Sequence, residues 1–325
     1  MCYNLHMKTK ISSKKFEAYK EMSQSAKNWD HHCSYRLLPH AFEGEHHVIE
    51  LPNTQLSYSY REGGFMHDAK SPPDSVSIAV IQDCSDAACF DIFKLQKGMI
   101  LFFDDTEAYN FMSKGGIRVA IISIPKSIAI QHQLDLNTTL RKYLMDDSSA
   151  FSTLFDKTLK VFLHTDENLD LEKVEKMFID YIKKVIATSS LKEAKLTKGE
   201  KTALAIRDQV YHHMDGKVNI ESFAKQYKVS VQTLENAFKS LFGFTPKKFL
   251  QLLKLNLVHH DLQNADPERS TVLRIASKWG FSHMGRFSQT YTELFGENPS
   301  ETLKSLEYIK GNMISSCTSR QEEMV

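Results

Sequence analysis

The sequence predicts an α+β chain of two domains: a β sandwich or small barrel followed by helices, then an all-α domain carrying two helix-turn-helix motifs. Three observations carry that prediction. One apolar pattern, IESFAKQYKVSVQTLENAFKSLFGFTP from Ile220, returns fifty-two residues on as VLRIASKWGFSHMGRFSQTYTELFGENP, aligning Ala224 with Ala276. Between Ser34 and Ile124, short β-like runs alternate with turn residues. From Asn137 to Ser190 the apolar period becomes helical.

A chain of 325 residues is long enough for two cores, and 42% hydrophobic with 25% charged residues is ordinary soluble composition. No apolar run reaches the roughly twenty residues of a membrane helix, and Met1 to Lys10 lacks the apolar core of a secretory signal, so the cytoplasm is the expected compartment. Five scattered cysteines, Cys2, Cys33, Cys84, Cys89 and Cys317, argue against a disulfide framework, and the Cys84/Cys89 spacing fits no zinc pattern. The net charge of +1 hides a gradient: Thr197 to Lys310 holds 16 Lys and Arg against 12 Asp and Glu, Met1 to Leu196 holds 24 against 26. Excess cations in the last third have the sign a nucleic-acid partner requires.

In chain order, residues 1–29 read as an arm, with Phe16, Tyr19 and Met22 spaced for a short amphipathic helix. Residues 30–136 hold seven or eight expected strands: YRLLPH at 35, HHVIEL at 46, TQLSYSYR at 54, SVSIAVI at 75, FDIFKL at 90, MILFF at 99 and IRVAIISIP at 117. The histidine pairs His31-His32 and His46-His47 are poor metal candidates, because neighbours on a strand point to opposite faces. They read as solvated or pocket-edge residues, and no metal or other cofactor is expected. Residues 137–190 are helical. The clearest stripe is Val174, Met177, Phe178, Tyr181, Ile182, Val185 and Ile186, set against Glu172, Lys173, Glu175, Lys176, Asp180, Lys183 and Lys184. It must pack on the β domain or on its twin in a homodimer. Residues 191–200 read as a linker and 311–325 as a disordered tail.

Within residues 201–310, each repeat describes a tight corner of two helices with a small residue, Ala224 or Ala276, at the crossing. Phe223, Tyr227 and Val229 face inward in the first, with Ser230 as N-cap and Leu234, Ala237, Phe238 and Leu241 behind it. The second has Ile275, Trp279 and Phe281, Ser282 as cap, then Phe287, Tyr291 and Leu294, and its turn is one residue longer. Each closes on Phe-Gly and a proline, a left-handed C-cap followed by a new helix start. Pro246 to Asn264 reads as one helix carrying Phe249, Leu252, Leu253, Asn256, Leu257 and His260. At about 1.5 Å per residue it spans about 30 Å, near the roughly 34 Å between successive major-groove faces on one side of B-DNA.

These corners, the Phe-Gly closures, the Gly280-Phe281-Ser282 turn and the terminal stretch from Asn298 to Leu303 resemble the DNA-binding domain of the AraC/XylS family of bacterial transcription regulators over about Thr202 to Leu306. The resemblance implies a seven-helix domain on asymmetric promoter sites, joined to an N-terminal, often cupin-like domain that holds a small effector or dimerises. Double-stranded DNA, RNA polymerase and a second copy of the chain are the implied partners, with a small-molecule effector possible and activation the implied direction.

Outward residues near the start of each second helix read bases. In the first corner these are Val231, Gln232, Glu235 and Asn236, and in the second His283, Met284, Gly285, Ser288 and Gln289. Gln and Asn suit adenine and Glu suits cytosine. Ser230, Thr233, Lys239, Lys247, Lys248, Ser282 and Arg286 lie where they can hold phosphates. Many family members carry Arg where Asn236 and Gln289 stand, so the family does not supply a base preference here. A regulator controlled by abundance or a protein partner, with no effector, is the second reading. An enzyme with a DNA-binding appendage is the third, and it lacks a phosphate loop, a nucleophile elbow or an activated thiolate.

Overall fold

The computed structural model describes residues 11–17, 21–22, 29–39, 42–84, 87–134, 139–147, 149–164, 169–213 and 220–305. The expected tail at 311–325, with Cys2 and Cys317, lies outside the described residues. Two compact units divide the chain, one chiefly Ala41–Leu196, the other chiefly Thr197–Ser240 with Phe244 onward.

The first unit is built on two antiparallel sheets. β1 (Ile11–Phe16), β3 (Glu43–Glu50), β4 (Gln55–Glu62), β11 (Ile117–Pro125), β6 (Ser75–Cys84), β9 (Met99–Asp104) and β12 (Tyr143–Met145) form seven strands in the order β1-β3-β4-β11-β6-β9-β12. β2 (Asp30–Arg36), β5 (Phe65–Lys70), β10 (Tyr109–Ser113), β7 (Ala88–Phe90) and β8 (Phe93–Lys94) form the other, in the order β2-β5-β10-β7-β8. The central strands of the larger sheet are apolar on both faces, and strand parity divides two cores between them. Leu56, Tyr58, Ile78, Val80, Ile100, Phe102, Ala120 and Ile122 pack on one side with helix residues Phe151, Phe155, Phe178 and Ile182. Ala79, Ile81, Leu101, Phe103 and Val119 pack on the other with Phe65 and Phe111 of the smaller sheet. A sheet covered on both faces must read as continuous apolar runs, which is why SVSIAVI, MILFF and IRVAIISIP show no alternation.

Several expectations shift here. Phe16 ends a strand paired to β3, not an amphipathic helix. The run at 35 starts where β2 ends, and β5 and β10 were not anticipated. Residues 137–190 include β12 ahead of α2 (Ala150–His164) and α3 (Leu171–Thr188), α1 being the short Lys126–Gln131. The α3 stripe packs within its own unit, with Ile179 in it and Met177 left 47% exposed. Glu175, placed on the polar face by its spacing, is buried: its carboxylate accepts from Asn53 N (2.9 Å), Asn53 Nδ2 (2.9 Å) and Thr54 Oγ1 (2.9 Å), anchoring the β3–β4 turn. Asp146 starts α2 by accepting from the backbone N–H groups of Ala150, Phe151 and Ser152, where an acid complements the helix dipole. Lys192, in the expected linker, pairs with Tyr143 as an isolated bridge.

The second unit is helical: α4 (Lys198–His213), α5 (Ile220–Gln226), α6 (Val231–Phe242), α7 (Pro246–Asn264), α8 (Val272–Lys278) and α9 (Met284–Phe295), with a seventh helical stretch at 299–305. A capping box opens α4: Glu200 Oε2 accepts from Thr197 N, and Thr197 Oγ1 accepts from Glu200 N. Glu200 also receives Ser240 Oγ at 3.2 Å, tying α4 to the end of α6. Gly199 sits so close to α6 that a Cβ there would lie 2.8 Å from Thr233 Cγ2.

Candidate nucleic-acid interface

The two corners share a design with one difference in the turn. Ala224 and Ala276 are both buried at the crossings. Four residues separate α5 from α6 and five separate α8 from α9, the expected extra residue. The turn itself needs a left-handed residue: Gly280 takes it in the second corner (φ 82), whereas Lys228, fifty-two residues earlier, takes it in the first (φ 51). A side chain in that conformation costs about 1–2 kcal/mol, so the first turn is held against local preference. Ser230 caps α6 as expected, accepting from Thr233 N at 3.0 Å. Ser282 does not cap α9: the extra residue moves the cap to His283, which makes no side-chain cap bond.

α7 lies between the corners and is enclosed. Phe249, Leu250, Leu252, Leu253, Leu255, Val258 and Leu262 are buried, so both sides of the helix are packed, and Leu257 is only half-buried. The buried Asn256 donates to Leu252 O at 2.8 Å, closing part of its polar demand within the helix. His260 is exposed, and His259 is the histidine of this helix that packs inward. Its ring stacks on Phe295 at 4.1 Å and 8° and its Nδ1 lies 2.6 Å from Tyr291 Oη. Tyr291 donates to Thr302 Oγ1 (2.9 Å) and Thr302 to Glu297 Oε1 (2.6 Å), so with Nδ1 protonated the hydrogen bonds all point from the imidazole towards the carboxylate. Burial, first, and then the Glu297 charge raise the Tyr291 phenol well above its ordinary range, which keeps it a donor. At the other end of this corner, Asp261 of α7 accepts from Lys278 Nζ (2.8 Å) and Trp279 Nε1 (2.9 Å). Burial would raise its carboxyl, but those two hydrogen bonds outweigh it and leave it below the usual carboxylate range. Sequence patterning had marked neither His259 nor Asp261, because each looks like a polar interruption of an apolar helix.

The candidate reading residues form two outward sets. On α6, Val231, Gln232 and Asn236 are exposed and Glu235 half-exposed; Gln232 Nε2 donates to Asn236 Oδ1 at 3.0 Å, so the pair is prearranged on one face. Thr233 and Lys239 are exposed beside them. On α9 and its approach, Ser282, His283, Gly285, Arg286 and Gln289 are exposed, whereas Met284 and Ser288 are half-buried. Gln289 is bonded along its own helix to Glu293 Oε1 at 3.0 Å. Gly285 has nothing within 4 Å of a Cβ built on it. Lys247 and Lys248 are exposed in the first turn of α7, which Thr245 caps by accepting from Lys248 N. That places two ammonium groups at the positive end of a nineteen-residue helix.

The sequence model of the family described as "Helix-turn-helix domain" matches residues 223–305, the span of both corners and the helix between them. The C-terminal unit carries a helix-turn-helix domain. Over 101 residues the chain is 34% identical to the "Probable thc operon regulatory protein" of Rhodococcus erythropolis, covering 31% of this chain and 30% of that protein. Over 108 residues it is 29% identical to the "XylDLEGF operon transcriptional activator" of Pseudomonas putida, covering 33% of this chain and 34% of the relative. The match thus spans about a third of the length of these relatives. Among solved structures, the AraC-like transcriptional activator CuxR aligns over 91% of this chain and 100% of its own at 13% identity, with a TM-score of 0.43. Within this helix-turn-helix domain the second corner carries the tighter polar network, and the first carries the amide pair suited to base edges. No helix among the described residues is long and apolar enough to cross a membrane.

Proposed function

We propose that the chain is a sequence-specific transcription regulator whose α6 and α9 enter successive major-groove segments of one promoter site. The observation that carries this reading is the pairing of two outward polar helix faces with a packed helix, α7, of nineteen residues, about 28 Å long at 1.5 Å per residue. A length near the roughly 34 Å groove repeat needs only modest bending of the duplex. Val231, Gln232, Glu235 and Asn236 read one segment, and His283, Met284, Gly285, Ser288 and Gln289 the other. Ser230, Thr233, Lys239, Lys247, Lys248, Ser282 and Arg286 grip phosphates. The first unit supplies control: it holds a small effector between its sheets, and the chain acts as a homodimeric activator that engages RNA polymerase. The relatives' printed roles as operon regulators support that direction.

Footprinting of the full chain on promoter DNA tests the assignment. Replacing Gln232 and Asn236 together by Ala abolishes protection of one half of the footprint and preserves the melting temperature, since both side chains are exposed. Unchanged protection would remove α6 as a reading element.

A further inference from the structure

The two corners are joined to α7 in unequal ways. Three residues, Gly243 to Thr245, lead from α6 into α7, so the chain itself holds the first corner close to the spacer helix. Seven, Ala265 to Thr271, lead from α7 to α8. A loop of that length leaves the direction of the second corner open, and side chains have to fix it. Two positions within one turn of α7 do so. His259 reaches α9: its ring lies on Phe295, 4.1 Å between centroids at 8°, and its Nδ1 stands 2.6 Å from Tyr291 Oη. Asp261 reaches the end of α8, accepting from Lys278 Nζ at 2.8 Å and from Trp279 Nε1 at 2.9 Å. The fully buried Tyr291 is the hub of the first grip, since its hydroxyl also donates to Thr302 Oγ1 at 2.9 Å in the stretch after α9. Tyr291 lies two residues past Gln289, about 200° around the helix, so the gripped side of α9 points away from the proposed reading side.

We infer that His259 and Asp261 are positioning residues that fix the separation of the two DNA segments the chain accepts, by holding the second corner at one angle to α7. The inference deepens the regulator reading proposed above and rests on it. Apolar burial, which Phe287 and Leu294 supply on α9, is non-directional and tolerates sliding. Hydrogen bonds are directional. The series from His259 Nδ1 through Tyr291 Oη and Thr302 Oγ1 to Glu297 Oε1 lets α9 turn little before several bonds lengthen together. Leverage makes that angle matter. From Gly285 to Phe295 the helix runs about 15 Å, so a tilt of about 10° at the gripped end moves the reading end by about 2.6 Å. Hydrogen bonds to base edges tolerate only about 0.5 Å. A freely tilting corner would follow a displaced segment, whereas a held one loses it.

Binding titrations of the full chain on three duplexes test this: the promoter site as footprinted, and the same site with one base pair added or removed between the two protected segments. One base pair turns the segments by about 35° and shifts them by about 3.4 Å relative to each other. The native chain is expected to bind the unaltered site at least about tenfold more tightly than either altered one, because a rigid pair of heads cannot engage both segments at once. His259→Leu keeps apolar bulk and drops the donor, Tyr291→Phe drops one hydroxyl, and Asp261→Ala drops the acceptor. Each is expected to bring that ratio to within about threefold, and His259→Asn, which keeps an amide donor, to restore part of it. Loss of folded protein lowers affinity alike on all three duplexes, so the ratio separates positioning from stability even in a destabilised variant. An unchanged ratio in His259→Leu and Tyr291→Phe overturns the inference and leaves the regulator reading standing. A native chain indifferent to the added or removed base pair also overturns it. A native chain that protects no DNA, or one segment only, overturns the two-segment reading and this inference together.

Discussion

Gly285 is where a single residue most directly joins stability to recognition. It lies in the first turn of α9 on an exposed face, with open space where a Cβ would be. Glycine in a helix costs about 0.5–1 kcal/mol relative to alanine through lost backbone entropy. Gly285→Ala is therefore expected to stabilise the free chain by about that amount in chemical denaturation. If α9 lies as close to DNA as proposed, the same methyl group weakens DNA binding, so stability and affinity move in opposite directions; an affinity that rises with stability argues that this turn stands clear of the duplex. The position was visible in the sequence as an odd glycine inside an amphipathic pattern. Lys228 was not, because nothing in its neighbours announces a left-handed lysine. Only alignment of the two copies, which sets Gly280 against it, carries that signal.

At the scale of elements, buried acids do work that apolar periodicity cannot show. Glu175 holds three donors from the β3–β4 turn while its helix packs on the larger sheet. Glu175→Ala strips two side-chain donors and one backbone donor of their acceptor, and is expected to cost about 2–4 kcal/mol in a calorimetric melt of the first unit. A cost below about 0.5 kcal/mol would mean water replaces the carboxylate freely. In the second unit, Asp261 joins α7 to α8 through Lys278 and Trp279. Its carboxyl is depressed in the fold, so its contribution is present above the unfolded value of about 3.9 and is lost as pH falls through the lower folded value. Melting temperature measured from pH 6 down to pH 3 should fall at the acid end, and Asp261→Asn should flatten that part of the decline. An identical acid limb in the variant would assign the loss to other carboxylates. Helix spans were largely legible: the apolar stripe from Val174 to Ile186 lies within the observed Leu171–Thr188, and Pro246–Asn264 is observed with the expected bounds. Facing was less legible. Glu175 and His259 look polar by type yet are turned inward by partners distant in sequence, and Met177 looks apolar yet is turned out.

For the whole molecule, the charge gradient sets how DNA binding must respond to salt. With few cations on the proposed reading faces, the proposal assigns much of the phosphate contact to Lys247 and Lys248 at the head of α7. Replacing both by Ala should weaken binding alike on cognate and unrelated DNA, and lower the slope of log K against log salt by about 2, one per lost phosphate contact. A variant that loses sequence preference but keeps its slope would place these lysines at bases instead. The tandem corners were readable because a repeat advertises itself twice. The cavity lined by both sheets of the first unit was not, although TQLSYSYR carries its polar residues at every second place, because a strand covered on both sides hides which parity faces which core.

That two-sided covering has a practical consequence for how the protein can change. On β4, β6, β9 and β11, odd-numbered side chains furnish the chamber and even-numbered ones bear the weight of the helices. Chemical taste and mechanical support are thus interleaved letter by letter on the same four strands. A designer who rewrites only the odd letters can retune what the chamber accepts and leave the scaffold beneath it standing.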